Sequence, residues 1–154
     1  MRRLDRTDRE IVRLLQDDAR RSNKELAAAT GIAPSTCSER VKRLEAEGVL
    51  LGSHAIVDPR ALGIGLRAMV AIRLSRHAAS EVDRFRDHAL AMPEVIGWSH
   101  VTGANDFLVQ VVVRDAEHLR QLAVSGFTSM PEVAHIETAL VFEHVDKPAL
   151  PDLL

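Results

Sequence analysis

The chain is poor in the residues that small secreted proteins and single-strand nucleic-acid binders depend on. Its 154 residues include one cysteine, Cys37, one tryptophan, four phenylalanines and no tyrosine. A lone cysteine excludes an intramolecular disulfide and agrees with a reducing cytosol. So few aromatic rings argue against a stacking platform for unpaired bases. No apolar run approaches the ~20 residues that cross a bilayer. Met1-Arg2-Arg3 leads into Leu4-Asp5-Arg6 rather than into the apolar stretch of a signal peptide. A Gly-rich phosphate loop and a nucleophile elbow are both missing. The histidines (His54, His77, His88, His100, His118, His135 and His144) include no His-x-x-x-His pair, and Cys37 alone anchors no zinc knuckle. Neither a metal nor a cofactor is therefore expected. His100 and His135 fall on predicted strands and read as structural, and Cys37 reads as a small core residue.

What is present is an ordinary globular balance, 46% apolar and 27% charged, in a length that allows one domain or two small ones. The net charge of −2 conceals an asymmetry. Residues 1–60 hold 12 Lys+Arg against 10 Asp+Glu, whereas residues 61–154 hold 8 against 12. Two halves with different tasks are indicated, although the basic excess is too small to prove a polyanionic partner.

The front third is patterned for helices. Asp5 caps a first helix with Asp8 three residues on, and Ile11, Leu14 and Leu15 form its apolar stripe. Ser22-Asn23-Lys24-Glu25 is a capping box opening a short second helix that Gly31 ends. Pro34 suits the first turn of a third helix, Cys37, Val41 and Leu44 recur on its inward face, and Gly48 stops it. Short helices joined by a tight glycine turn make a helix-turn-helix pattern.

Periodicity then changes. Val49 to Val57 reads as an extended linker strand, and Asp58-Pro59-Arg60 with Gly63 and Gly65 punctuates it, which sets the boundary between domains 1–60 and 61–154. Leu66 to Leu74 alternates with period two. Val82, Phe85, Ala89 and Met92 line a helix beginning at Ser80 and ended by Pro93. Strands follow at Val95 to Thr102 and Phe107 to Val113, then a helix capped by Asp115 and ended near Gly126 and Pro131, then a last strand from Val133 to Phe142. The order βαββαβ is ferredoxin-like, so the fold class is α+β. Two helices cover one face of such a sheet, yet Leu108 and Val112 make the other face apolar as well, which predicts a dimer packed sheet to sheet.

"LDRTDREIVRLLQDDARRSNKELAAATGIAPSTCSERVKRLEAEGVLLG" followed by "HVTGANDFLVQVVV" resembles the Lrp/AsnC family of bacterial and archaeal transcriptional regulators, from about Leu4 to Val145. The resemblance implies an N-terminal winged helix-turn-helix and a C-terminal RAM/ACT-like domain. The implied function is a cytoplasmic DNA-binding regulator, not an enzyme, that forms homodimers and higher oligomers on double-stranded DNA and answers to a small effector such as an amino acid.

In helix-turn-helix proteins the second helix of the motif enters the major groove with its front residues. Here these are Ser35, Thr36 and Ser38, hydroxyls able to approach bases or phosphates closely, with Arg40 and Arg43 expected to stand free for phosphates or guanines and Lys42 to assist at the backbone. Glu39 is either an acceptor for a cytosine amine or a partner for Arg43 one turn on. The family commonly has serine before Pro34; Ala33 removes that cap unless Ser35 supplies it.

By resemblance, Val101-Thr102-Gly103-Ala104-Asn105-Asp106 matches the family's Gly-x-x-Asp loop, where effectors bind. Gly103 lets backbone amides approach a carboxylate, Asp106 can hold an α-ammonium, and Thr138 corresponds to a threonine lining the same pocket. The same residues also make an ordinary hairpin turn. Two rival functions stand beside the regulator: a family-like enzyme acting on tetrapyrroles, as in sirohaem decarboxylation, and a plain oligomerisation module. The tail, residues 146–154, is expected either to swap between subunits or to fray.

Overall fold

The structure, a computed structural model, describes residues 3–76, 78–147 and 149–153. His77 of the histidine search and Pro148 of the tail lie outside the described residues. The chain divides into two compact units, Met1–Ile56 with Val145–Leu154, and Val57–His144. The tail is thereby grouped with the front helices.

Three helices build the front unit: α1 (Arg6–Asp17), α2 (Asn23–Thr30) and α3 (Pro34–Ala46). Both expected capping boxes form, Asp5 with Asp8 and Ser22 with Glu25, satisfying amide donors that a helix start leaves open. Gly31 ends α2 in the left-handed region at φ +69°, which an L side chain rarely adopts. Pro34 opens α3, but Ala33 provides no side-chain cap and Ser35 does not replace it, a loss of about 1 kcal/mol. Ile11, Leu14, Leu26, Ala27, Cys37 and Leu44 are buried together, and Val41, Ile32, Val49 and Leu50 pack against them. Burial pushes the Cys37 thiol pKa up, so it remains an apolar core group.

The segment expected as a linker strand behaves differently along its length. Val49 and Leu50 join the front core, while residues 51–58 form no ladder within the chain. Their apolar side chains are left outside: Leu51 is 92% and Ile56 94% exposed.

The hind unit runs β1 (Leu66–Leu74), α4 (Ala79–Ala91), β2 (Val95–His100), β3 (Phe107–Val113), α5 (Ala116–Gln121), a π-helical stretch (Leu122–Thr128) and β4 (Val133–Leu140). The sheet order is β2-β3-β1-β4, all antiparallel. Ala68, Val70, Ile72 and Leu74 of β1 and Phe107, Val109, Val111 and Val113 of β3 share the covered face, buried with Phe85, Ala89, Leu119, Leu122 and Phe127. Phe85 stacks on Phe107 at 4.9 Å between ring centres, tying α4 to the sheet.

Two boundaries differ from the sequence reading. The second strand stops at His100, and one more bond in the same register, from the Val101 amide to the Asp106 carbonyl at 2.9 Å, precedes the turn. The last strand ends at Leu140. The helix after Asp115 widens and continues to Thr128, between Gly126 and Pro131 as expected, where the Thr128 hydroxyl donates to the Val124 carbonyl.

The opposite sheet face carries Met69, Ala71, Leu108, Gln110 and Val112, cross-strand neighbours that are only half-buried. Among the described residues of the hind unit no helix covers this face.

Candidate nucleic-acid interface and ligand loop

The turn between α2 and α3 is fixed by backbone bonds: the Gly31 and Ile32 amides both donate to the Ala27 carbonyl. With the turn set, Cys37 and Leu44 bury one face of α3. Ser35, Glu39 and Lys42 lie at spacings of four and three, about half a helical turn round from that face, and all are exposed together with Thr36. Ser38 is half-buried. The outward stripe thus carries hydroxyls, one carboxylate and one ammonium, with short side chains at the front and longer ones behind.

Arg40 and Arg43 are not free. Arg40 Nη1 donates to Asp5 Oδ2 and to Asp8 Oδ1, each at 2.7 Å, and Arg43 Nη2 donates to Asp8 Oδ1 at 2.6 Å. Asp8 is 4% exposed, so its carboxylate is enclosed by the two guanidiniums where α3 meets the start of α1. Both arginines are thus engaged within the front unit rather than held out from it. The hydrogen bond from Arg40 holds the Asp5 carboxyl below its usual range, the Asp8 amide adding to it, and Asp5 and Asp8 in turn raise the pKa of Arg40. Among the described residues no ion pair joins Glu39 to Arg43, which instead also lies 4.0 Å from Glu47. The sequence reading missed this network because Asp5 and Asp8 had already been used as capping residues. Asp8 does both: it completes the capping box and accepts from α3.

The hind loop is equally ordered by its backbone. The Asp106 amide donates to the Ile72 carbonyl at 2.8 Å, and the Leu74 amide donates to Asp106 Oδ2 at 2.8 Å. The Asp106 side chain therefore ties the loop to the end of β1, a task the sequence reading did not include. Gly103 has φ +124°, and a Cβ placed there would meet nothing within 4 Å, so conformation rather than crowding calls for glycine. Thr102, Gly103 and Ala104 are exposed, and Val101 and Asn105 are half-buried. Thr138 is exposed on the edge strand opposite Val70, two residues along β1 from the Ile72 carbonyl that holds Asp106. Among the described residues no hydrogen bond joins Thr138 to the loop.

Among the described residues no three or more His, Cys, Asp or Glu side chains gather as a metal site, and no helix is long and apolar enough to cross a membrane.

Comparison with known proteins gives two family matches. Residues 4–50 match a winged helix-turn-helix DNA-binding domain, and residues 67–150 match the Lrp/AsnC ligand-binding domain. The chain is 41% identical to the HTH-type transcriptional regulator AldR of Mycolicibacterium smegmatis, over 94% of this chain and 84% of that protein. Among solved structures it resembles an AsnC family transcriptional regulator from Agrobacterium tumefaciens, with a TM-score of 0.87 and 28% identity over 96% of this chain and 97% of that one. It also resembles a transcriptional regulator of Neisseria meningitidis solved in complex with L-Met, with a TM-score of 0.83 and 26% identity over 94% of both chains.

Proposed function

The chain belongs to the Lrp/AsnC family of DNA-binding transcriptional regulators, and from that premise we propose that it reads double-stranded DNA through the Ser35, Thr36, Glu39 and Lys42 stripe of α3. The observation that carries this is the position of Ser35, Glu39 and Lys42 about half a helical turn from the buried Cys37 and Leu44, with Thr36 exposed beside them. Arg40 and Arg43 act from behind: their bonds to Asp5 and Asp8 fix α3 against α1, so that the stripe meets the groove at one angle. Short hydroxyls suit close approach to base edges and phosphates, and Lys42 suits a phosphate.

The hind unit pairs two chains through its uncovered face, where Met69, Ala71, Leu108 and Val112 need an apolar cover. Two α3 stripes then address two half-sites. A small effector, of the amino-acid class by likeness to the Neisseria regulator, binds at the Val101 to Asp106 loop and shifts the assembly by its unequal affinity for two states. The protein works in the cytoplasm beside its DNA and is not an enzyme.

The test is a gel-shift titration of the protein on its own upstream DNA across a range of salt. Binding should weaken steeply as salt rises, and Lys42→Ala should reduce the salt slope by about 1. Binding that ignores salt, or a slope unchanged by Lys42→Ala, overturns the assignment of α3.

A further inference from the structure

The outward stripe of α3 carries one group that DNA repels. Glu39 is exposed, two residues past Cys37 and five before Leu44, which puts it within about 40° of the point opposite both on the helix. Ser35 lies one turn before it and Lys42 about one turn after, so its carboxylate is the middle group of that face. A duplex carries one negative charge for about every 1.7 Å of its axis. A carboxylate brought onto such a surface costs affinity for every sequence unless it meets a donor.

Among the described residues nothing neutralises it. Arg43, one turn on, donates to Asp8 at 2.6 Å, and Arg40 donates to Asp5 and Asp8, each at 2.7 Å. Neither these arginines nor Lys42 forms an ion pair or a hydrogen bond with Glu39. The nearest guanidiniums along α3 are thus spent on the start of α1, and the carboxylate faces outward without a counter-charge.

An ionised carboxylate accepts hydrogen bonds and gives none. Phosphate oxygens, guanine N7 and O6 and thymine O4 are therefore wrong partners for it. The major groove offers two base donors, the N4 amine of cytosine and the N6 amine of adenine. Adenine sets its amine beside the N7 acceptor, which suits an amide that both gives and takes. Cytosine presents a donor and no acceptor of its own on that edge.

We propose that Glu39 is a specificity residue that reads a cytosine in each half-site, accepting from its N4 amine, and that its charge turns away sites lacking one there. The inference rests on the reading of the α3 stripe as the DNA-facing surface and deepens it by naming a base and the residue that selects it. Ser35 and Thr36 have hydroxyls that donate as well as accept, so the discrimination falls on Glu39.

Selection of duplexes from a random library by the full chain, then gel shifts on the selected site and its single-base variants, tests it. One position of each half-site should be cytosine, and replacing it by thymine should weaken wild-type binding at least tenfold. The same replacement should cost Glu39→Ala less than threefold. Glu39→Gln should favour adenine there, since an amide pairs with both N6 and N7. Both variants, having lost a negative charge, should bind random-sequence DNA more tightly than the wild type. Identical base preferences in wild type and variants overturn the proposal. So does an equal gain by the variants on every sequence, which would make Glu39 a solvated charge only. Lys42→Ala separates this from the parent reading: if its salt slope falls by about 1 while base preference ignores Glu39, α3 faces DNA and the base assignment alone is wrong. An unchanged slope would remove α3 from DNA and the proposal with it.

Discussion

Arg43 Nη2 and Asp8 Oδ1 lie 2.6 Å apart, across the junction of α3 and α1, and Arg40 shares the same carboxylate oxygen at 2.7 Å. Helix three thereby uses its arginines to fix its own orientation. Asp8→Ala leaves two guanidiniums, about a quarter and a third exposed, without their common acceptor. Allowing for partial screening by solvent, the front unit should lose about 2 kcal/mol. A urea midpoint measured by circular dichroism checks it.

The same cluster sets a dependence on acid. Arg40's hydrogen bond holds the folded Asp5 pKa below its ordinary value of 3.8. A lowered folded pKa means that the stabilisation is fully present above the unfolded value and is lost as pH falls through the folded one. Stability should therefore decline from about pH 5 downward, and Asp5→Asn should flatten that part of the profile. Melting temperatures across an acid series test it, and an unchanged slope in the variant would remove Asp5 as a contributor.

Lys42 and Arg40 should separate in their effects. Lys42→Ala should leave the melting temperature unchanged while weakening DNA binding. Arg40→Ala should lower the melting temperature, because it strips donors from Asp5 and Asp8. Paired thermal melts and salt-dependent gel shifts on both variants decide the point.

Gly65 is a packing requirement. Its amide donates to the Val113 carbonyl at 3.0 Å, and a Cβ there would collide with the Arg114 carbonyl oxygen, a backbone atom that cannot swing aside. Gly65→Ala should destabilise the hind unit by about 2 kcal/mol, read as a lower denaturant midpoint with the front unit unaffected.

Leu108→Lys should place a charge on the uncovered sheet face without disturbing the core residues behind it. If that face joins two chains, light scattering should show the mass fall from dimer to monomer. A dimer that survives the substitution would move the interface elsewhere.

The sequence was most legible where one local rule acted alone. The strands at Leu66–Leu74 and Phe107–Val113 follow from strict alternation, and α1 and α2 from their capping boxes. It was least legible where one residue serves two partners. Asp8 was visible as a capping residue, but its grip on Arg40 and Arg43 depends on how two helices cross. Asp106 was visible as a turn residue, but its bond to Leu74 joins positions 32 apart. Glu132 carried no local signal, since its burial arises only when α4, β1 and β4 converge.

Gln16 grips the returning chain through both ends of its amide, accepting from the Leu150 amide at 2.7 Å and donating to the Leu150 carbonyl at 3.4 Å. The front unit is consequently joined to the rest of the chain at two places, once where the chain leaves α3 and again where it comes back to α1, and residues 51–58 of the first connection have no regular structure of their own.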